Sequence, residues 1–263
     1  MKKILKQVLL YSCIITLIGC GKESKDKELQ EQMQDENRKN IQIEQQVEKQ
    51  VDSLDDTMEV EVVNVQSGVL VIDEEYGLCR IKNETKKIIE DLSVGDRIVI
   101  KPTGTIEEES YPRQIATTDL TIVEQGIDKF QPLREAIYTM HKSQHIQNQP
   151  INVIALDLTK LSNFTVREKE ALTYLISCDL NFVNLYQSTK KELLSNQQIL
   201  ITDNGHQYFE NGILYLVQAT EIEDGFTFDI ERYTSSITNC KMQNEKAIRD
   251  KELYKWEKDT TNS

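Results

Sequence analysis

Cys20 carries the clearest chemistry in this 263-residue chain. It closes the run Leu17-Ile18-Gly19-Cys20. Before it stand Lys2, Lys3 and Lys6, then an apolar stretch from Val8 to Ile18 broken only by Ser12 and Thr16. A basic start, a short apolar run and a small residue before the cut describe an export signal. A cysteine just after the cut adds a thiol that accepts a diacylglyceryl group, with Leu17, Ile18 and Gly19 read by the signal peptidase. The apolar run is shorter than the roughly 20 residues of a membrane-spanning helix. Two or three acyl chains on one cysteine hold firmly, where a single chain such as palmitate holds only marginally. The spacing predicts a chain lipid-anchored to the cell membrane and facing away from the cytoplasm.

Other reactive residue types form weaker patterns. His141 and His145 stand four apart, on one face of a helix if it continues that far. A third ligand from His206, Asp203 or a carboxylate would complete a zinc site and support a metal-assisted hydrolase. The competing reading is a polar helix end with two exposed histidines, and it leaves no metal ligand assigned. There is no His-Glu-x-x-His, Gly-x-Ser-x-Gly or phosphate-loop Gly-x-x-x-x-Gly-Lys, so no catalytic residue and no cofactor is assigned. Asp203-Asn204-Gly205 signals a turn rather than a Ca²⁺ loop, because the further ligands are missing. With Cys13 removed and Cys20 modified, Cys79, Cys178 and Cys240 remain. Three thiols allow one disulfide at most, and Cys178 with Cys240 is the pair open to it.

Glu109-Ser110-Tyr111-Pro112 is a candidate ligand-binding loop. The residue before a proline is pushed to extended backbone, which lets Tyr111 plug the barrel end with Ser110 or Glu109 bonding exposed backbone amides. The alternative is that the loop faces a ligand. Glu107, Glu108 and Glu109 would attract a cation but alternate in direction on a strand, so they form no metal cage by themselves.

The formal charge is −13, and loss of residues 1–19 with their three lysines makes it −16. Such a chain is repelled by phosphate backbones and anionic lipid surfaces, which argues against nucleic acid as a partner. The membrane, through the anchor, and an unidentified protein or small-molecule ligand are the expected partners.

These residues are set along the chain in segments. After the signal, residues 1–19, comes a polar tether, 20–58. Within 21–58 acidic residues outnumber basic ones 11 to 6. Leu29, Met33, Glu36, Asn40, Ile43, Val47, Gln50 and Leu54 follow alternating steps of four and three, a heptad seam with three polar positions. The reading is a fraying helix able to self-associate weakly through residues 28–54, with disorder as the alternative. Fully helical, that stretch would reach about 40 Å.

Residues 59–124 switch to short alternating β runs with turns at Ser67-Gly68, Asp73 to Gly77, Ser93-Val94-Gly95-Asp96 and Pro102-Thr103-Gly104. This predicts a small closed β-barrel of the OB-like kind. Residues 127–259 predict an α+β domain with an antiparallel sheet. Pro132 opens a helix, and Thr165-x-x-Glu168 and Thr189-x-x-Glu192 are capping boxes before two more. Asp224-Gly225 joins two alternating strands in a hairpin, Ile213 to Ile222 and Phe226 to Tyr233. Residues 241–259 read equally as helix or strand, with Trp256 packed on the sheet.

Asp91-Leu92-Ser93-Val94-Gly95-Asp96-Arg97-Ile98-Val99-Ile100, then Gly104-Thr105-Ile106 and Glu109-Ser110-Tyr111-Pro112-Arg113-Gln114, resemble the YobA-like domain. This is a small domain of unestablished function in secreted proteins and lipoproteins of low-GC Gram-positive bacteria. The resemblance covers about a quarter of the chain. It implies a compact extracytoplasmic β domain and brings no reaction with it. The fold class expected is α+β: barrel, then α+β domain, preceded by a helical or disordered tether. The function expected is a non-catalytic binding or accessory lipoprotein of the cell envelope. A hydrolase using His141 and His145, or a stalked oligomeric scaffold, are the alternatives.

Overall fold

The computed structural model describes residues 57–83, 91–107, 109–143, 150–235, 239–250 and 253–257. The signal, Cys20, the 28–54 seam and His145 lie outside the described residues.

Five strands close a barrel: β1 (Met58–Asn64), β2 (Leu70–Asp73), β3 (Gly77–Asn83), β4 (Arg97–Pro102) and β5 (Arg113–Glu124), in the order β1-β2-β3-β5-β4. Only the β3–β5 ladder is parallel. Val60, Val62, Val71, Cys79, Ile98 and Ile100 fill its interior. The run Val69-Leu70-Val71-Ile72 is apolar throughout because both of its faces are buried. Val69 and Val71 point into the barrel, while Leu70 and Ile72 join a second core beneath the helices.

The second core lies under a six-stranded sheet in the order β13-β12-β11-β10-β6-β7. Its strands are β6 (Val153–Leu161), β7 (Leu185–Gln187), β10 (Gly212–Ile222), β11 (Gly225–Tyr233), β12 (Asn239–Asp250) and β13 (Leu253–Glu257). The ladders from β10 to β13 are antiparallel, as expected. Those joining β10 to β6 and β6 to β7 are parallel, because a helix carries the chain between β6 and β7. Helices α1 (Gln131–His141) and α2 (Val166–Leu180) cover one face. The short helix α3 (Lys190–Ser195) and the hairpin β8 (Ile199–Ile201)–β9 (Gln207–Phe209) bury Ala155, Leu214 and Tyr233 on the other. Among the described residues no helix is long and apolar enough to cross a membrane.

Both capping boxes form, with Thr165 and Thr189 accepting from the backbone N–H of Glu168 and Glu192. Pro132 lies in the first turn of α1. Residues 239–250 and 253–257 are strands, and the Trp256 indole N–H donates to Glu245 over 2.7 Å. The Asp224-Gly225 hairpin forms one residue out of place: Ile222 pairs with Gly225, so Glu223 and Asp224 are the turn residues. Gly225 is required for another reason. A Cβ there would lie 2.0 Å from the Ala247 carbonyl oxygen on β12.

The barrel and the helical layer lie in one compact unit spanning Asp56–Ser263. The chain leaving β5 crosses the Ser93–Asp96 turn. Asp96 accepts from the N–H of Ser93 at 2.8 Å and of Gly126 at 3.0 Å. A Cβ on Gly126 would sit 1.7 Å from the Gly95 carbonyl oxygen, so side chains are excluded where the segments cross. The β2–β3 side of the barrel docks on α2. Arg80 donates to the Tyr174 hydroxyl at 3.4 Å, and Arg167 donates to the carbonyls of Glu74 and Glu75.

Candidate functional site

A groove of about 560 Å³ runs along the outer flank of α2, between that helix and β7, with Tyr111 at its wall. The sequence builds the flank simply. Ala171, Leu172, Leu175 and Ile176 face the core, so Glu170, Thr173, Tyr174, Ser177 and Cys178 fall on the adjoining stripe. Asn181 then ends α2 in left-handed backbone at φ 50°, and the chain turns back through Phe182 and Val183 into β7. Val183 is fully exposed.

The Glu109–Pro112 loop reaches this groove from the barrel. Pro112 is buried, and the Ser110 hydroxyl donates to its carbonyl at 3.0 Å, which fixes the turn. Tyr111 does not plug the barrel. Its ring remains 65% exposed and meets Tyr174 edge to face, with centroids 5.7 Å apart. The reason is that Val60, Val62 and their neighbours already fill the barrel, while α2 offers an aromatic partner outside it. Glu109 is exposed, and Glu107 pairs with Lys82 at 2.9 Å. Glu108 lies outside the described residues. Arg167 holds the Glu170 carboxylate at 3.0 Å.

The lining is aromatic and aliphatic at Tyr111, Tyr174, Phe182, Val183, Leu185 and Tyr186, and its remaining side chains are uncharged except Glu170. Such a surface can hold a ligand by packing and hydrogen bonding. It presents no nucleophile–base pair: the exposed Cys178 thiol lies beside Tyr174, not a base. All three described cysteines are free, so Cys178 and Cys240 are not joined.

His141 is used inside the fold. Its Nδ1 lies 3.1 Å from the hydroxyl of the fully buried Tyr215. Burial, and then the charges of Lys142 and Arg232, lower its pKa. Arg232, also buried, donates to the Met140 carbonyl at 2.8 Å and the Ser143 hydroxyl at 2.6 Å, satisfying the end of α1. His206 lies exposed in the β8–β9 loop. Among the described residues no three His, Cys, Asp or Glu side chains are grouped to hold a metal.

One polar cluster between barrel and helix had no sequence signal. Glu61 of β1 hydrogen-bonds to Glu168, the residue that also caps α2, and the Lys129 ammonium contacts Glu168. Burial raises the Glu61 carboxyl to about 7, with Glu168 adding to the effect and Lys129 and Arg97 opposing it.

Comparison with family models, with curated proteins and with solved structures finds no match to this chain.

Proposed function

We propose that this chain is a lipid-anchored, extracytoplasmic binding protein of the cell envelope whose ligand site is the groove between α2 and β7. The observation that carries the binding role is the convergence of Tyr111, from the barrel loop, with Tyr174 and Phe182, from α2 and the turn after it, on one open surface. Two parts of the chain far apart in sequence supply one aromatic-lined concavity with few charges, the usual character of a ligand site. The address rests on the Leu17–Cys20 run. The barrel is proposed to be a YobA-like domain of OB-like kind. Its strand order, with β3 and β5 parallel, supports that reading. The β2–β3 side, where OB barrels commonly take ligands, is here occupied by α2, which moves the binding role to the groove.

The hydrolase alternative draws no support from His141, whose Nδ1 is engaged by Tyr215. The scaffold alternative depends on residues 28–54. An NMR screen of the full chain with a library of aromatic, amide and monosaccharide fragments tests the proposal. Hits should perturb the Val183 and Leu185 methyls and be lost in Tyr111→Ala and Tyr174→Ala. Hits confined to surfaces elsewhere would overturn it.

A further inference from the structure

We propose that the groove takes an extended peptide segment of a partner protein, added as a new strand on the free edge of β7 and packed against α2. This rests on the groove being the ligand site. It follows from the backbone rather than from the lining alone. Among the described residues, β7 has a ladder with β6 and with no other strand. The Asn184 carbonyl accepts from Ile154, and the Ser188 N–H donates to Leu156, so both residues point toward β6. Tyr186 shares their direction by the two-residue period of a strand. The N–H and C=O groups of Leu185 and Gln187 therefore point outward, at the side of the groove. A strand laid there would meet these two donors and two acceptors at ladder spacing.

The flank of α2 supplies the second wall. A peptide strand between a sheet edge and a helix puts alternate side chains against the helix. Main-chain bonds give affinity and alternate pockets give specificity. Here the α2 side offers Tyr174, Ser177 and Cys178, with Phe182 at one end and Tyr111 at the other. These suit apolar side chains at every second position. Charge narrows the partner through the chain as a whole. None of the lining residues is a cation, the one lining carboxylate, Glu170, is paired with Arg167 at 3.0 Å, and the whole chain carries −13. Acidic segments are disfavoured, and a segment with Lys or Arg flanking its apolar positions is favoured. A bare glycan offers no row of amides to match Leu185 and Gln187, which is why a peptide is preferred to a sugar chain.

The test uses a phage-displayed library of random nine-residue peptides selected on the full chain, with Gln187→Pro and Gln187→Ala as variants. Proline at 187 removes the outward donor without touching the bond to β6, and an edge strand tolerates it. Circular dichroism and the thermal midpoint should be unchanged in both variants. Selected peptides should alternate apolar residues and carry excess Lys or Arg. They should bind Gln187→Pro at least about tenfold more weakly, while Gln187→Ala, which keeps the N–H, stays within about threefold. Binding equal in Gln187→Pro and wild type, yet lost in Tyr174→Ala, would overturn strand addition and leave the groove as the ligand site. Binding unaffected by either change would overturn both. Failure to select any peptide, or binding of soluble chitin oligomers that is indifferent to Gln187→Pro, would also overturn the proposal.

Discussion

Glu61→Gln should stabilise the folded chain at pH 8 and leave it nearly unchanged at pH 5. The Glu61 carboxyl is raised from 4.5 to about 7, chiefly by burial. Below about pH 4.5 it is protonated in folded and unfolded chain alike, and the favourable contribution of the buried neutral form is fully present. Between 4.5 and 7 the unfolded chain loses this proton and the folded chain keeps it, so stability falls as pH rises. Above about 7 both forms are ionised and the loss is complete. The rise from 4.5 to about 7, at about 1.4 kcal/mol for each pH step of one, sets an upper bound of roughly 3.5 kcal/mol. Glu61 is only partly shielded from solvent, so roughly 1–3 kcal/mol is the working range. Glutamine keeps a donor for Glu168 and cannot ionise, so it removes this slope. The assay is urea unfolding of the full chain at pH 5 and pH 8. It is followed by fluorescence of the single tryptophan, Trp256, whose indole is bonded to Glu245 at 2.7 Å. Taking variant minus wild type cancels the other groups titrating in this window. His141 is one of these; its lowered pKa acts with the opposite sign. The reasoning fails if the difference is the same at both pH values, or if the variant is the less stable one at pH 8.

Three further outcomes are expected. Gly126→Ala should cost more than about 3 kcal/mol, because its Cβ would lie 1.7 Å from a backbone oxygen that cannot move aside. Gly104→Ala, with nothing within 4 Å of its Cβ, should cost only about 1 kcal/mol for its φ of 84°, and paired urea titrations compare the two. Arg232→Met should cost about 1–3 kcal/mol, since it removes the hydrogen bonds from the buried guanidinium to the Met140 carbonyl and the Ser143 hydroxyl, which still bond to each other at 2.8 Å, and its effect should appear as lost hydrogen-exchange protection at the end of α1. Cys20→Ser should release the chain from the membrane fraction and abolish labelling by a palmitate analogue; full retention without label would point to an uncleaved anchor.

What the sequence made legible was local. Thr165-x-x-Glu168 and Thr189-x-x-Glu192 specify helix starts by hydrogen bonds three residues apart, and both formed. The closed barrel was readable because alternation and turn residues recur at short spacing. The parallel β10–β6 and β6–β7 ladders were not readable, because strand direction depends on where α2 carries the chain, not on either strand. Residues 241–259 were ambiguous because Lys, Glu and Asn on an edge pair carry little periodic signal. The groove was half legible. Tyr111 stood out through its proline, whereas Tyr174 looked like one more helix residue. The stripe Glu170, Thr173, Tyr174, Ser177 and Cys178 beside the buried face was the available signal. Nothing in sequence could pair Glu61 with Glu168, since they meet only when β1 docks on α2.

The placement of α2 ties these observations together. Its first turn carries Glu168, which caps the helix and meets Lys129 and the barrel residue Glu61. Its inner stripe holds the sheet, and its outer stripe lines the groove. Arg167 on the same helix grips the Glu74 and Glu75 carbonyls and also the Glu170 carboxylate at the groove. The aromatic pair at the groove thus has one ring on each side of the barrel–helix junction, Tyr111 from the barrel and Tyr174 from α2. A change that loosens the junction displaces one ring against the other. Glu61 and Glu168 lie in the contact between the barrel and the first turn of α2. A packed apolar pair at those positions would hold the junction at any pH, whereas the contribution of Glu61 is full below about pH 4.5 and is lost as pH rises to about 7.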